Sequence, residues 1–186
     1  LEALQRMAKP DSARSVRRDF RALGKLVSHE NESIAVLAAD VIGSWGLAGR
    51  NEIAALQGDS HSLAVKQALA VALATTSSSR YESTLAELAA NGDLETRYAA
   101  VAGLAQANLS RGVTAAARLL DEDPQGANPV PVVETLFKHR EGGRLLSDEL
   151  KGIEIHPVVM ARVSKFHRDT GLLPDSLAEM FRPSTT

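Results

Sequence analysis

The side chains that most often hold metals or move protons near neutral pH are His, Cys and crowded carboxylates, and here they are few and scattered. The five histidines are His29, His61, His139, His156 and His167. No two stand four apart on one helix, and none belongs to an HExxH motif, so zinc-gripping spacing is absent. His29 precedes Glu30 in a polar loop, while His61 and His156 fall near helix starts; each reads as a structural histidine. There is no cysteine. That excludes disulfides, thiolate zinc sites and thioether attachment of haem within this chain. Neither a GxSxG elbow nor a phosphate-cradling GxxxxGK is present. Glu141-Gly142-Gly143-Arg144 is glycine-rich but follows no strand, so it reads as a turn. Asp121, Glu122 and Asp123 fall in a solvated loop, with no apolar wall to raise a carboxyl pKa. The expectation is a chain with no catalytic residues, no metal site and no cofactor of its own.

One cluster of like charges stands out. Arg14, Arg17, Arg18, Arg21 and Lys25 fall at i, i+3, i+4, i+7 and i+11, one side of a helix. Such a face is able to meet phosphates. Against that, the whole chain has a net charge of −2, which gives no general attraction to nucleic acid or anionic membrane. A solvated face, or contact with another domain, is the preferred reading, and a nucleic-acid interface is the alternative.

Whatever these side chains do, helices must place them. Hydrophobic residues make up 44 % of the chain but aromatics only 4 %, so the apolar content is mostly Ala, Leu and Val, which favours closely packed helices over a sheet. In TRYAAVAGLAQ, Thr96, Ala100, Val101 and Leu104 fall on one helix face. The same template fits Ile34, Ala38, Ala39 and Ile42, then Val65, Leu69, Ala70 and Leu73. It continues at Asn128, Val132, Val133 and Leu136 and at Val158, Arg162, Val163 and Phe166. A helical pattern recurring every 30 to 32 residues means stacked helix pairs. Helices are expected over 1–8, 13–27, 33–47, 52–56, 60–75, 81–90, 94–108, 113–120, 144–150, 157–169 and 175–181, with one more running up to 138. TTSSSR at 75–80 and DEDPQGANP at 121–129 read as polar loops. Pro129 and Pro131 are tolerated only in a first turn. Lys66 and Arg97 share the second slot of the template and read as solvated or ladder-type charges, with Asp93 placed to brace Arg97 at i,i+4. Trp45 reads as a packing residue.

This pattern, V/I-x-x-x-A-A-x-x-L with Lys or Arg second, resembles HEAT-like repeats. The resemblance implies an all-α, right-handed solenoid of about five helix pairs, with residues 1–186 as a single segment. Departures are Leu69 in the first Ala slot, Asn128-Pro129 at the fourth start and Arg162 in an apolar slot. HEAT-like folds include DNA glycosylases, which is the form an enzymatic alternative would take. ALGKLVSHENESIAVLAADVIGSWG and ETLFKHREGGRLLSDELKG also resemble the HEAT-repeat portion of large multidomain c-type cytochrome, haem-binding proteins of planctomycete-like bacteria. That resemblance implies a segment excised from a longer, exported or periplasmic parent; without it a cytoplasmic setting is expected. The opening LEALQRMAK, which reads as helix interior, fits excision too. No apolar run reaches the length of a membrane-spanning helix.

The function these readings favour is a non-catalytic scaffold contacting a partner protein or a neighbouring domain, itself monomeric. At 100° per residue, template positions i+2, i+6 and i+10 point away from the core. The candidate partner-binding stripe comprises Asp40, Ser44, Gln67, Tyr98, Gln106, Glu134, Lys138 and Arg168, centred on Tyr98.

Overall fold

The computed structural model describes residues 20–122 and 129–171. The helices expected at 1–8 and 175–181 lie outside them. Among the described residues the protein is all helix, with no strand. The elements are α1 (Phe20–Leu26), α2 (Glu32–Ser44), α3 (Arg50–Gln57), α4 (Leu63–Thr76), α5 (Ser78–Asn91), α6 (Leu94–Ala107), α7 (Leu109–Glu122), α8 (Val130–Phe137), α9 (Gly142–Glu149) and α10 (Pro157–Thr170).

Short polar residues set the helix starts, because the first amide groups of a helix lack internal partners. Asn31 Oδ1 accepts from the Ser33 N–H at 3.0 Å before α2. Asp93 Oδ1 accepts from the Thr96 N–H at 3.0 Å before α6, as its position predicts. His156 does the same for α10, its Nδ1 accepting from Val158 N–H at 3.2 Å ahead of a first-turn Pro157. The far end of α10 stops at Gly171, whose φ of 65° lies in the left-handed region glycine tolerates.

Three expected connections are tighter than sequence suggested. TTSSSR is not a loop: Ser77 alone separates α4 from α5. Asn108 alone separates α6 from α7, which begins at Leu109 instead of Val113. Glu141-Gly142-Gly143-Arg144 is the beginning of α9, with Glu141 as its N-cap, not a free turn. Local propensity disfavours Ser and Gly in helices, but packing overrides it here. A Cβ on Gly142 would run into the Leu136 carbonyl, so the small residue lets α9 start hard against α8. Asp121 and Glu122 likewise end α7 instead of floating in a loop.

The even-numbered helices form a row in which α2 packs on α4, α4 on α6, α6 on α8 and α8 on α10. Beside them α1, α3, α5 and α7 each lie against the next even helix, and α5, α7 and α9 touch in turn. The template positions are the seam. Ala38, Ala39, Leu69, Ala70, Leu73, Ala100, Val101, Leu104, Val132, Val133 and Leu136 are all fully buried; each such Leu or Val contributes about 1.5–3 kcal/mol. Small residues let the axes close up. A Cβ placed on Gly43 would stand 2.7 Å from Ala72 Cα, and one on Gly103 would stand 2.5 Å from the Ala70 carbonyl oxygen. Those two glycines therefore draw α2 and α6 onto opposite sides of α4.

Polar ties fix the register of neighbours. The Thr96 hydroxyl lies between the Asp93 carboxylate and the Leu56 carbonyl, the latter at 3.0 Å, and joins α6 to the end of α3. Tyr81 donates from its hydroxyl to the Ala48 carbonyl at 3.1 Å. Lys66, 1 % exposed, reaches from α4 to Glu95 at 3.5 Å and Asp93 at 3.9 Å. Arg97 repeats that reach one pair later, but its partner is Glu122 on α7 and not Asp93. Asp93 is committed to capping α6, so the brace expected within the helix becomes one between helices.

In the last pair the frame turns by one residue. Val159 and Val163 are buried, whereas Val158, expected in a core slot, is 41 % exposed. With Arg162 occupying a template slot, the helix gains more by facing Val159, Val163 and the buried Ile155 inward.

Candidate functional site

The stripe predicted to face away from the core splits into two groups. Its last position is wet throughout: Ser44, Gln106, Lys138 and Arg168 are all exposed, as are Asp40 and Glu134. Its centre is not. Tyr98 is 0 % exposed and Ala102 is 1 % exposed, so Tyr98 is a core residue and the stripe is not centred on it. The reason is position in the row. α6 is bordered by α4, α5, α7 and α8 and touches α3 as well, which leaves only its two ends open to water. A wheel drawn for one helix does not contain that crowding.

Four stripe residues nevertheless come together. Asp40 on α2, Gln67 on α4, Gln106 on α6 and Lys138 at the end of α8 line one cleft of about 510 Å³. Its remaining lining is Val36, Ala64, Ala68, Val71, Thr135 and His139. α2 and α8 stand three places apart in the row, yet they face each other across this space. The first and fourth members of the row thus both border this space, together with α4 and α6. Ser44, Glu134 and Arg168 stay outside the cleft.

Charge divides the two walls. Asp40 sits on one, and the surrounding protein removes enough water to push its carboxyl pKa above the ordinary carboxylate value. The Lys138 ammonium opposite pulls the other way without cancelling the shift. No ion pair joins the two, so they attract across open space. Lys138 also caps the C-terminus of α8, where a cation is favoured by the helix dipole. On the floor, the Gln67 Nε2 is enclosed and has no acceptor. Thr135 and His139 were not among the expected site residues. They lie three before and one after Lys138, so they border the cleft beside it.

Of the alternative basic face, Arg14, Arg17 and Arg18 lie outside the described residues, as does the side chain of Arg21. Lys25 is exposed and borders a second cavity of about 840 Å³ between α1 and α3, walled by Leu23, Val27, Ile42, Leu47 and Leu69. No group of three or more His, Cys, Asp or Glu converges to metal-binding distance among the described residues, and no helix there is long and apolar enough to cross a membrane. No family model matches the chain, and neither the curated proteins nor the solved structures return a significant match.

Proposed function

We propose that this chain is a non-catalytic scaffold, a right-handed solenoid of HEAT-like helix pairs that holds a partner protein or a neighbouring domain in the cleft between α2 and α8. One observation carries the reading. Residues spread over nearly one hundred positions, Asp40 to Lys138, open onto a single cleft because each even helix packs on the next. Repeats that touch only their neighbours bend into extended concave surfaces, and such surfaces are what these architectures use for binding. The cleft offers a carboxylate, an ammonium and two carboxamides, a set suited to holding a partner by polar complementarity. The resemblance to haem-bearing multidomain proteins makes a domain of the same parent chain the first partner to try. A parent sequence carrying a two-Cys-His haem motif would support that choice.

The test is site-specific photo-crosslinking in the source cell, with the probe at Gln106 in the cleft or at the exposed Glu87 on α5. A protein captured from Gln106 and not from Glu87 is expected, and Asp40→Ala with Lys138→Ala should then weaken its binding at least about tenfold, ~1.4 kcal/mol. A partner captured equally from both positions, or one indifferent to the double substitution, would move the working surface elsewhere.

A further inference from the structure

We propose that the cleft between α2 and α8 recognises a matched cation–anion pair carried on a short apolar body, with the cation at Asp40 and the anion between Lys138 and Gln67. This deepens the scaffold reading by naming the chemistry of the bound group, and it rests on that reading of the cleft as the working face.

Four observations point the same way. First, Asp40 and Lys138 line opposite walls and do not pair with one another. Opposed charges that stay apart leave each able to take a counter-charge from a ligand, and a ligand of one sign alone would meet repulsion from one wall. Second, the Gln67 side-chain N–H group is enclosed without an acceptor. An unsatisfied buried donor costs about 1–3 kcal/mol, and an entering carboxylate or carbonyl oxygen removes that cost. The terminal amide torsion is broad, and the amide would meet the entering oxygen by turning toward the cleft. Third, Val36 on α2 with Ala64, Ala68 and Val71 on α4 give the cleft an apolar lining, which suits an aliphatic body and not a polyanion. Fourth, about 510 Å³ falls in the range of sites for small ligands. It holds a short peptide-sized group, so a larger partner would engage the cleft by one such segment.

The same chemistry is available from two sources. A free dipeptide or tripeptide carries the pair on its termini. An extended segment of a partner protein carries it as a Lys or Arg side chain and a nearby Asp or Glu. Two probes distinguish them: trialanine with free termini, and the blocked peptide acetyl-Lys-Ala-Glu-amide. Blocked trialanine, acetylated and amidated, has the same body without the charges.

The experiment is a nuclear magnetic resonance titration of the full chain, following the side-chain amide signals of Gln67 and Gln106 up to millimolar probe. A charged probe should shift both signals saturably while blocked trialanine leaves them in place. Asp40→Asn and Lys138→Met should each weaken the charged probe at least tenfold, in variants whose backbone spectra otherwise overlay with the parent's. Response to free trialanine assigns the small-zwitterion source, and response to the blocked Lys-Ala-Glu peptide assigns the protein segment. Equal shifts from the uncharged peptide, or no cleft shift from either charged probe, overturn the proposal. A crosslinked protein partner that binds the cleft in that second case leaves the scaffold reading standing, so the two failures are distinct.

Discussion

Folding shifts the Asp40 and Asp93 pKa values in opposite directions, and the difference comes from their neighbours. Partial loss of water around the otherwise exposed Asp40 side chain raises its pKa, and Lys138 opposes the rise only in part. A raised carboxyl favours folding while it is protonated, so its contribution is present below the ordinary carboxylate range and is lost as pH climbs through the folded value. At neutral pH the ionised Asp40 therefore works against the fold. Asp40→Asn should stabilise the protein at pH 7 and do nothing measurable in acid, while weakening whatever the cleft binds. Denaturant melts at the two pH values check this; equal effects at both would show that burial is not what shifts Asp40. Burial pulls the Asp93 pKa upward too. There, hydrogen bonds from the Thr96 hydroxyl and N–H, helped by Lys66, win and hold it below the ordinary value. Its stabilisation is present above the ordinary carboxylate range and is lost as pH falls through the lowered value. Removing it in Asp93→Ala takes away a helix cap, with an expected loss of about 0.5–2 kcal/mol at pH 7 and a smaller loss in acid. A carboxylate whose charge the fold opposes and one whose charge the fold supports are thus separable by the sign of their pH dependence.

The helices themselves were largely legible, because their seam is built from residues whose types admit no other use. Ala38, Ala39, Ala70, Ala100 and Val101 recur at fixed spacing, and every one is buried. The capping role of Asp93 was legible for the same reason: a short carboxylate before an apolar run has one structural use. What sequence did not disclose was everything that depends on two neighbours at once. Tyr98 looks exposed on a single helical wheel and is enclosed because α6 is surrounded. Ser78 and Gly142 look like loop residues and are helical; at Gly142 the adjoining helix lies too close for even a Cβ. Part of the candidate site was readable, since Asp40, Gln67, Gln106 and Lys138 follow from the wheel. Thr135 and His139 were not, because they fall between the repeat slots although they adjoin Lys138. Two substitutions test the seam. Leu104→Ala should cost about 2–5 kcal/mol by opening a cavity. Gly103→Ala adds one methyl against the Ala70 backbone and should still cost about 1–3 kcal/mol by forcing α6 off α4. Chemical denaturation measures both, and a neutral Gly103→Ala would mean the two helices are not pressed together there.

Where helix pairs pack mainly on the pairs beside them, stability should vary along the row. The middle members, α4 to α7, are enclosed on both sides, and they carry Leu69, Leu73, Leu85, Leu104, Leu119 and Leu120, all fully buried. α10 rests on α8 with two buried valines and leaves Val158 in water. α1 meets the rest of the described structure mainly through Leu23 and Val27. Lys66 and Arg97 extend the coupling through the middle by linking α4 to the start of α6, and α6 to the end of α7. Because Lys66 is buried and its partners are half-exposed, removing both Asp93 and Glu95 should cost more than replacing Lys66 by Met, which keeps the apolar stem and abolishes the charge. Native-state hydrogen exchange reads the whole gradient. Amides of α4, α5, α6 and α7 should exchange slowest, those of α8 and α3 faster, and those of α1 and α10 fastest. Under mild denaturant the end helices should open in steps of their own before the middle does. If every helix instead exchanges with one common opening free energy, the molecule unfolds as a single cooperative globule. The nearest-neighbour stacking that the scaffold reading depends on would then be no more than a resemblance in its sequence.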